Sequence, residues 1–242
     1  IADLIQSDLQ KISEIANQNH NFLKIIDRAI TNTNNIVYQL KDYDRIEAGI
    51  FTPQLSDFNL MQICEDLKDF YQREIQENNI QVKIEYDKQL SHYLYGGGVY
   101  LQQILENLFK NAIRYGRPQD PSIIPEIKIS VQKIQDIPLQ VQIKVQDNGS
   151  GIKDKDKNQL FSFRHRSEDS KNYQGKEGSN GLGLAFARKV IEVLGGEINY
   201  ISPKVGTCFY FNIPLQYSEK NLEKSNPILP LQNLNLVMVD DD

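Results

Sequence analysis

One stretch narrows what this chain can fold into more than any other: Leu101 to Tyr115, LQQILENLFKNAIRY. Apolar residues at Leu101, Ile104, Leu105, Leu108, Phe109, Ala112 and Ile113 recur at spacings of three and four. That is one face of a helix laid against a core. The other side carries Asn107 and Asn111, four apart and so stacked one turn above the other. Arg114 and Tyr115 follow in the next turn. Asparagine is a poor helix former, so the pair is either an ordinary polar outer face or a site. A carboxamide oxygen can coordinate Mg²⁺ without adding charge beside phosphates. With a cation and an aromatic ring nearby, such a face suits a metal–phosphate ligand.

The 242 residues allow one or two domains with a sizeable core. A net charge of −5 leaves no electrostatic footprint for nucleic acid, and no such partner is expected. The two cysteines, Cys64 and Cys208, stand far apart in apolar patterns. They predict buried free thiols in a reducing compartment, hence a cytoplasmic segment. No apolar run approaches the ~20 residues of a membrane span, and no signal peptide is visible. This segment is therefore expected to make no membrane contact, while a parent protein could still be anchored. The chain opens on Ile1 and closes on Val239-Asp240-Asp241-Asp242, so a piece of a longer protein is expected.

Ile1, Ile5, Leu9, Ile12 and Ile15 are spaced as one helix face. After the polar break Asn17–Asn21, Phe22, Ile26, Ile30, Thr33, Val37 and Leu40 repeat the pattern. Two amphipathic helices with a short turn predict an antiparallel hairpin over residues 1–50. One hairpin buries neither stripe well, whereas two copies make a four-helix bundle. A homodimer through this region is expected; the competing reading packs the stripe on the chain's own globular domain. Gly49 is a plausible stop, reinforced by Thr52-Pro53.

Residues 51–215 read as a mixture of helices and strands. Asn59-Leu60-Met61-Gln62 fits a capping box. It opens a helix with Leu60, Ile63, Cys64, Leu67, Phe70 and Tyr71 on one side. Ile80–Tyr86 alternates as a strand, and a short strand is expected around His92–Tyr95. Ile127, Ile129, Val131 and then Val141, Ile143, Val145 alternate as a hairpin. The second of these strands runs into Asp147-Asn148-Gly149-Ser150-Gly151-Ile152. A carboxylate at a strand end followed by glycines lets backbone approach a flat ligand and can accept from an exocyclic amine. An ordinary Asp-Asn-Gly turn is the bland alternative. Residues 153–180 are polar apart from Leu160, Phe161 and Phe163, and look like a mobile loop with one small anchor. Gly178–Leu184 then opens another helix, and backbone N–H groups at such a start bind phosphate. Ile198–Ile201 and Cys208–Ile213 read as a closing strand pair.

The order of these pieces resembles the ATP-binding catalytic domain of sensor histidine kinases, in the superfamily shared with DNA gyrase, the ninety-kilodalton heat-shock chaperones and mismatch-repair ATPases. NLFKNAIRY resembles the asparagine box, DNGSGI and GSNGLGL the two glycine boxes, and GTCFYFNIP the last glycine-threonine element. The resemblance implies an α+β fold: a two-layer sandwich, a mixed sheet covered by helices on one face, preceded by the helical hairpin. It implies ATP and Mg²⁺ as cofactors. By position, Asn111 would hold the metal and Asn107 would support it; Arg114 would meet phosphate and Tyr115 would cover the base. Asp147 would bind the adenine amine, with Gly149, Gly151 and Ile152 shaping the floor. Gly181, Leu182, Gly183 and Leu184 would approach the triphosphate, and Thr207 would sit near adenine. Arg164 and Arg166 are candidate lid cations, with a solvated surface as the alternative.

Gyrase and the chaperones resemble this helix but carry a glutamate where Asn107 stands. An amide cannot take a proton from water, and Glu106 points about 100° away around the helix. Transfer to a protein side chain is therefore implied rather than hydrolysis. IVYQLKDYDRIEAG looks like the end of the family's dimerisation and phosphotransfer hairpin. LVMVDDD, within 235–242, resembles the first strand and acidic cluster of a receiver domain, with 216–234 as linker, so the parent is expected to be a hybrid kinase with its receiver in the same chain. No histidine box is present: His20 falls in the inter-helix turn, and His92 and His165 fall in the ATP domain. The acceptor is expected upstream of Ile1. The alternatives are a nucleotide-sensing scaffold without strong catalysis and a hydrolytic ATPase of the gyrase type.

Overall fold

The computed structural model describes residues 26, 30, 33–163, 181–202 and 205–220. The chain divides into two compact units, one of residues 1–52 and 158–190, the other of 53–157 and 191–242. The first 25 residues, the segment 164–180 with Arg164 and Arg166, and residues 221–242 lie outside the described residues.

In the first unit, residues 33–47 form helix α1. Its end closes as the sequence predicts. Gly49 N–H donates to the Ile46 carbonyl and Ile50 N–H to the Arg45 carbonyl, each at 3.0 Å. That bond pair requires a left-handed residue, and Gly49 sits at φ +69°. Ile26, Ile30, Val37 and Leu40 are exposed along the expected stripe. One face of the last turns is nonetheless engaged: Tyr43 stacks on Phe163 with ring centroids 4.8 Å apart, and Glu47 pairs with Lys189 at 2.7 Å. Phe161 lies under the Arg188 guanidinium.

The second unit opens with β1 (Ser56–Asn59) and α2 (Leu60–Phe70), then α3 (Gln72–Glu77), β2 (Gln81–Tyr86) and β3 (Tyr93–Gly96). The Asn59 side chain accepts from Gln62 N–H at 3.0 Å, so the N-cap forms. The capping box is only half made, because the Gln62 carboxamide donates to Asp66 instead. Phe70, expected inside, is exposed because α2 ends there and the chain breaks into α3. Helix α4 (Gly98–Tyr115) follows, then the hairpin of β4 (Glu126–Asp136) and β5 (Leu139–Asp147), and the short α5 (Asp154–Lys157). Helix α6 (Gly183–Val193) leads to β6 (Glu197–Ile201), β7 (Thr207–Pro214) and β8 (Gln216–Tyr217).

The main sheet has order β2-β4-β5-β7-β6. Only β2 and β4 run parallel; the other pairs are antiparallel. Rows such as Ile129–Val145–Phe209 and Val131–Ile143–Phe211 cross three strands on one face. They are buried together with Leu101, Ile104, Leu105, Leu108 and Phe109 of α4. The alternate strand residues, Lys128, Gln142, Lys144 and Tyr210 among them, are polar or half-exposed. This is the expected α+β arrangement, with helices on one face of a mixed sheet.

A second, three-stranded sheet of order β1-β3-β8 was not legible in the sequence. It corrects one boundary: Gln216 and Tyr217, assigned to the linker, pair with Tyr95 and Leu94 of β3. Both short strands lack an alternating apolar run, and their partner is distant in sequence. Cys64 is buried as expected, but Cys208 is half-buried, since it faces the polar side of β7.

Candidate functional site

Strand β5 sets up the site by simple alternation. Leu139, Val141, Ile143 and Val145 point into the helix-covered core, and Asp147 is the next inward position. A carboxylate is thereby carried to the end of an apolar row, 7% exposed. Its Oδ1 accepts from Gly149 N–H at 2.9 Å and Thr207 N–H at 3.2 Å. Burial pushes the Asp147 carboxyl above the ordinary aspartate value of 3.8, and those two N–H donors pull the other way. Both of these backbone donors fall on Oδ1.

The turn after Asp147 is pressed against the end of α4. A Cβ on Gly149 would lie 2.5 Å from the Tyr115 carbonyl oxygen and 2.6 Å from the Gly116 Cα. A Cβ on Gly116 would lie 2.8 Å from that of Asp147. Only glycine permits this approach, and it brings Tyr115 and the last turn of α4 beside the Asp147 carboxylate. The β6–β7 connection closes the other side. Gly206 N–H donates to the Gly149 carbonyl at 2.7 Å, and Ile152 N–H donates to Ser202 Oγ at 2.7 Å.

Asp147, Gly149, Gly151, Ile152, Thr207 and the α4 residues Asn107, Asn111, Arg114 and Tyr115 thus belong to one compact unit. Asn107, Asn111, Arg114 and Tyr115 are all half-buried. Gly181, Leu182, Gly183 and Leu184 stand at the start of α6, in the first unit; Leu182 is buried and its carbonyl accepts from Phe186 N–H at 2.8 Å. Glu106 turns away, as its helical angle requires. Its Oε1 accepts from the Tyr71 hydroxyl at 2.9 Å and pairs with Lys110 at 2.9 Å.

Sequence reasoning passed over the supports. Asn148 Oδ1 accepts from Glu126 N–H at 2.8 Å and its Nδ2 donates to the Ile124 carbonyl at 2.9 Å, which fixes the start of β4 beside the turn. Its place in an Asp-Asn-Gly turn was visible; its long-range partners were not. Gln103, one turn before Asn107, was also missed. Its Oε1 is buried without a hydrogen-bond partner among the described residues.

The family described as histidine kinase-, DNA gyrase B- and HSP90-like ATPase matches residues 96–217, just over half of the chain. The chain belongs to this ATPase family. The matched residues include the α4 amides, the Asp147 turn, the α6 start and the Gly206-Thr207 entry to β7. Relatives of this chain include hybrid signal transduction histidine kinase C of Dictyostelium discoideum, 28% identical over 88% of this chain and 17% of the relative. Sensor protein GacS of Pseudomonas syringae pv. syringae is 28% identical over 96% of this chain and 25% of its own length. The chain therefore spans a quarter or less of these two relatives. Among solved structures, the catalytic domain of histidine kinase ThkA is 26% identical, with a TM-score of 0.54 over 66% of this chain and 95% of that one. Histidine kinase AdeS of Acinetobacter baumannii shares the fold at 20% identity, with a TM-score of 0.58 over 76% of this chain and 79% of that one.

The residues fit a magnesium nucleotide. A buried acceptor faces backbone that a single Cβ would block, and a neutral amide row lies on the adjoining helix. Among the described residues, no group of three or more His, Cys, Asp or Glu could hold a metal by itself. No described helix is long and apolar enough to cross a membrane.

Proposed function

We propose that residues 51–217 are the ATP-binding catalytic core of a two-component sensor histidine kinase, which passes the γ-phosphate of ATP to a histidine on a dimerisation helix. The observation that carries the reading is the buried Asp147 carboxylate, locked by Gly149 and Thr207 against the end of the asparagine-bearing helix. Asp147 selects adenine by accepting from its amine, and Gly149 and Gly151 let backbone form the floor. Asn111 holds Mg²⁺, and Asn107 supports it through hydrogen bonds. Arg114 meets phosphate, Tyr115 covers the base, and Thr207 lies near adenine. When bound, Mg²⁺ supplies charge neutralisation at the phosphates. The protein's own part is positioning and electrostatics.

Transfer is favoured over hydrolysis by what stands on α4. The amide of Asn107 cannot deprotonate water, and the carboxylate of Glu106 is occupied by Tyr71 and Lys110. The exposed stripe Ile26, Ile30, Val37, Leu40 supports a homodimer through the hairpin. The hybrid relative supports a receiver domain in the parent chain. An ATP substrate supports a cytoplasmic location for the domain.

The chain is mixed with radiolabelled ATP, Mg²⁺ and a separate hairpin bearing an intact histidine box. Acid-labile label on the hairpin is expected. Nucleotide binding without label would make the domain a sensing scaffold. Steady phosphate release without an acceptor would make it a hydrolase. Asn111→Ala is expected to abolish Mg²⁺-dependent ATP binding, read by calorimetry.

A further inference from the structure

The hydrogen bonds around Asp147 include one side chain to which the nucleotide reading gives no task. Strands β5 and β7 stay paired up to Asp147 and Thr207, and β6 and β7 up to Ile201 and Cys208. Past those pairs no strand ladder holds the chain, yet two segments remain in backbone contact: the turn after Asp147 and the end of the β6–β7 connection. A Cβ on Gly206 would lie 2.5 Å from the Asp147 carbonyl oxygen. Gly206 N–H donates to the Gly149 carbonyl at 2.7 Å.

Ser202, the first residue after β6, ties the same two segments by its side chain. Its Oγ accepts from Ile152 N–H at 2.7 Å and donates to the Gly206 carbonyl at 3.4 Å. A serine hydroxyl has one proton and two lone pairs. Here the proton serves the connection and a lone pair serves the turn.

Asp147 Oδ1 likewise takes one N–H from each segment, Gly149 from the turn and Thr207 from the connection. The last torsion of an aspartate has only broad wells of its own, so hydrogen bonds set the plane of the carboxylate. Both bonds can be made only while the two segments keep their spacing. If the connection drifts outwards, the Thr207 bond, at 3.2 Å the longer of the two, is lost first. The carboxylate then turns on the Gly149 bond alone, and a ligand amine meets an acceptor with no fixed direction.

We infer that Ser202 is a positioning residue for base recognition, its hydroxyl holding the two segments at the spacing that aims the Asp147 carboxylate at an exocyclic amine. This role rests on the nucleotide reading above and adds a residue that acts through Asp147.

Ser202→Ala removes the hydroxyl; Ser202→Thr keeps it. The full chain with Mg²⁺ is titrated by calorimetry with ATP and with purine riboside triphosphate, which is ATP without its amine. The ratio of the two affinities reads the bond to the amine. A general loosening of the fold weakens both ligands and leaves the ratio. For Ser202→Ala the ratio falls about threefold to tenfold, the scale of one misdirected hydrogen bond to a charged group. Ser202→Thr returns most of it. An unchanged ratio in Ser202→Ala overturns the role. Should that variant fail to fold, the wild-type chain decides, because coupling between two interactions is reciprocal. The Ile152 amide exchanges with water about threefold to tenfold more slowly in the ATP complex than in the purine riboside triphosphate complex. Equal exchange overturns the inference. Asp147→Ala separates the two levels. If it keeps the wild-type ratio, the adenine reading itself has failed; if it abolishes the preference for ATP while Ser202→Ala matches wild type, only the role of Ser202 has.

Discussion

Asp147 shows how one residue couples function to stability. Its carboxyl is buried, and in the folded state its pKa lies above the ordinary 3.8. A raised folded-state value means the fold binds the proton more tightly than the unfolded chain does. Below 3.8 both states are protonated and nothing is lost. As pH climbs through the raised value, ionisation is penalised more in the fold, so stability falls. Asp147→Asn keeps an oxygen for Gly149 and Thr207 but removes the charge. It is expected to melt higher than wild type at pH 7, with the gap closing as pH drops towards 4, in a series of thermal melts. The same variant should bind ATP poorly, because one carboxylate oxygen becomes an NH₂, which cannot accept from the adenine amine. Cys64 is a simpler case: burial pushes its thiol up to about 12, which makes it a core residue and not a nucleophile.

At the scale of elements, the turn 147–152 is held by α4, β4 and the β6–β7 connection. Gly149→Ala would force a Cβ onto backbone at the end of α4. A loss of about 1–3 kcal/mol in urea unfolding is expected, together with weakened nucleotide binding. Asn148→Ala removes two bonds to the β4 entry and strands the part-buried Glu126 N–H. About 1–3 kcal/mol should again be lost, and hydrogen exchange at Glu126 should quicken. The asparagine helix, the Asp147 hairpin and the closing strands were legible because each repeats its own period over enough residues to be read. Strands β1 and β8 were not, because each is short and defined only by its pairing with β3. The capping box shows the same limit: the Asn59 cap forms, while the Gln62 Nε2 donates to Asp66, one turn on.

For the whole molecule, the open question is what covers the α1 stripe. Ile30, Val37 and Leu40 are exposed at 53%, 56% and 38%, an apolar stripe that the proposed homodimer would cover. Val37→Asp with Leu40→Asp adds charge without removing a packed side chain. It is expected to shift the chain from dimer to monomer in sedimentation equilibrium and to leave ATP affinity unchanged. A dimer that survives both charges would send the stripe back to the alternative of packing within one chain.

Taken alone, the sequence was enough for the succession of motifs, and with it the family and the side of the sheet that faces the helices. Those follow from periodicity and order, which are properties of neighbouring residues. Tertiary structure decided the rest: that Asp147 is buried and paired with Thr207, and that Glu106 is turned to Tyr71. Each depends on segments that meet only when the sheet closes. A pattern along the chain can say which way a side chain points, but not what it will meet there.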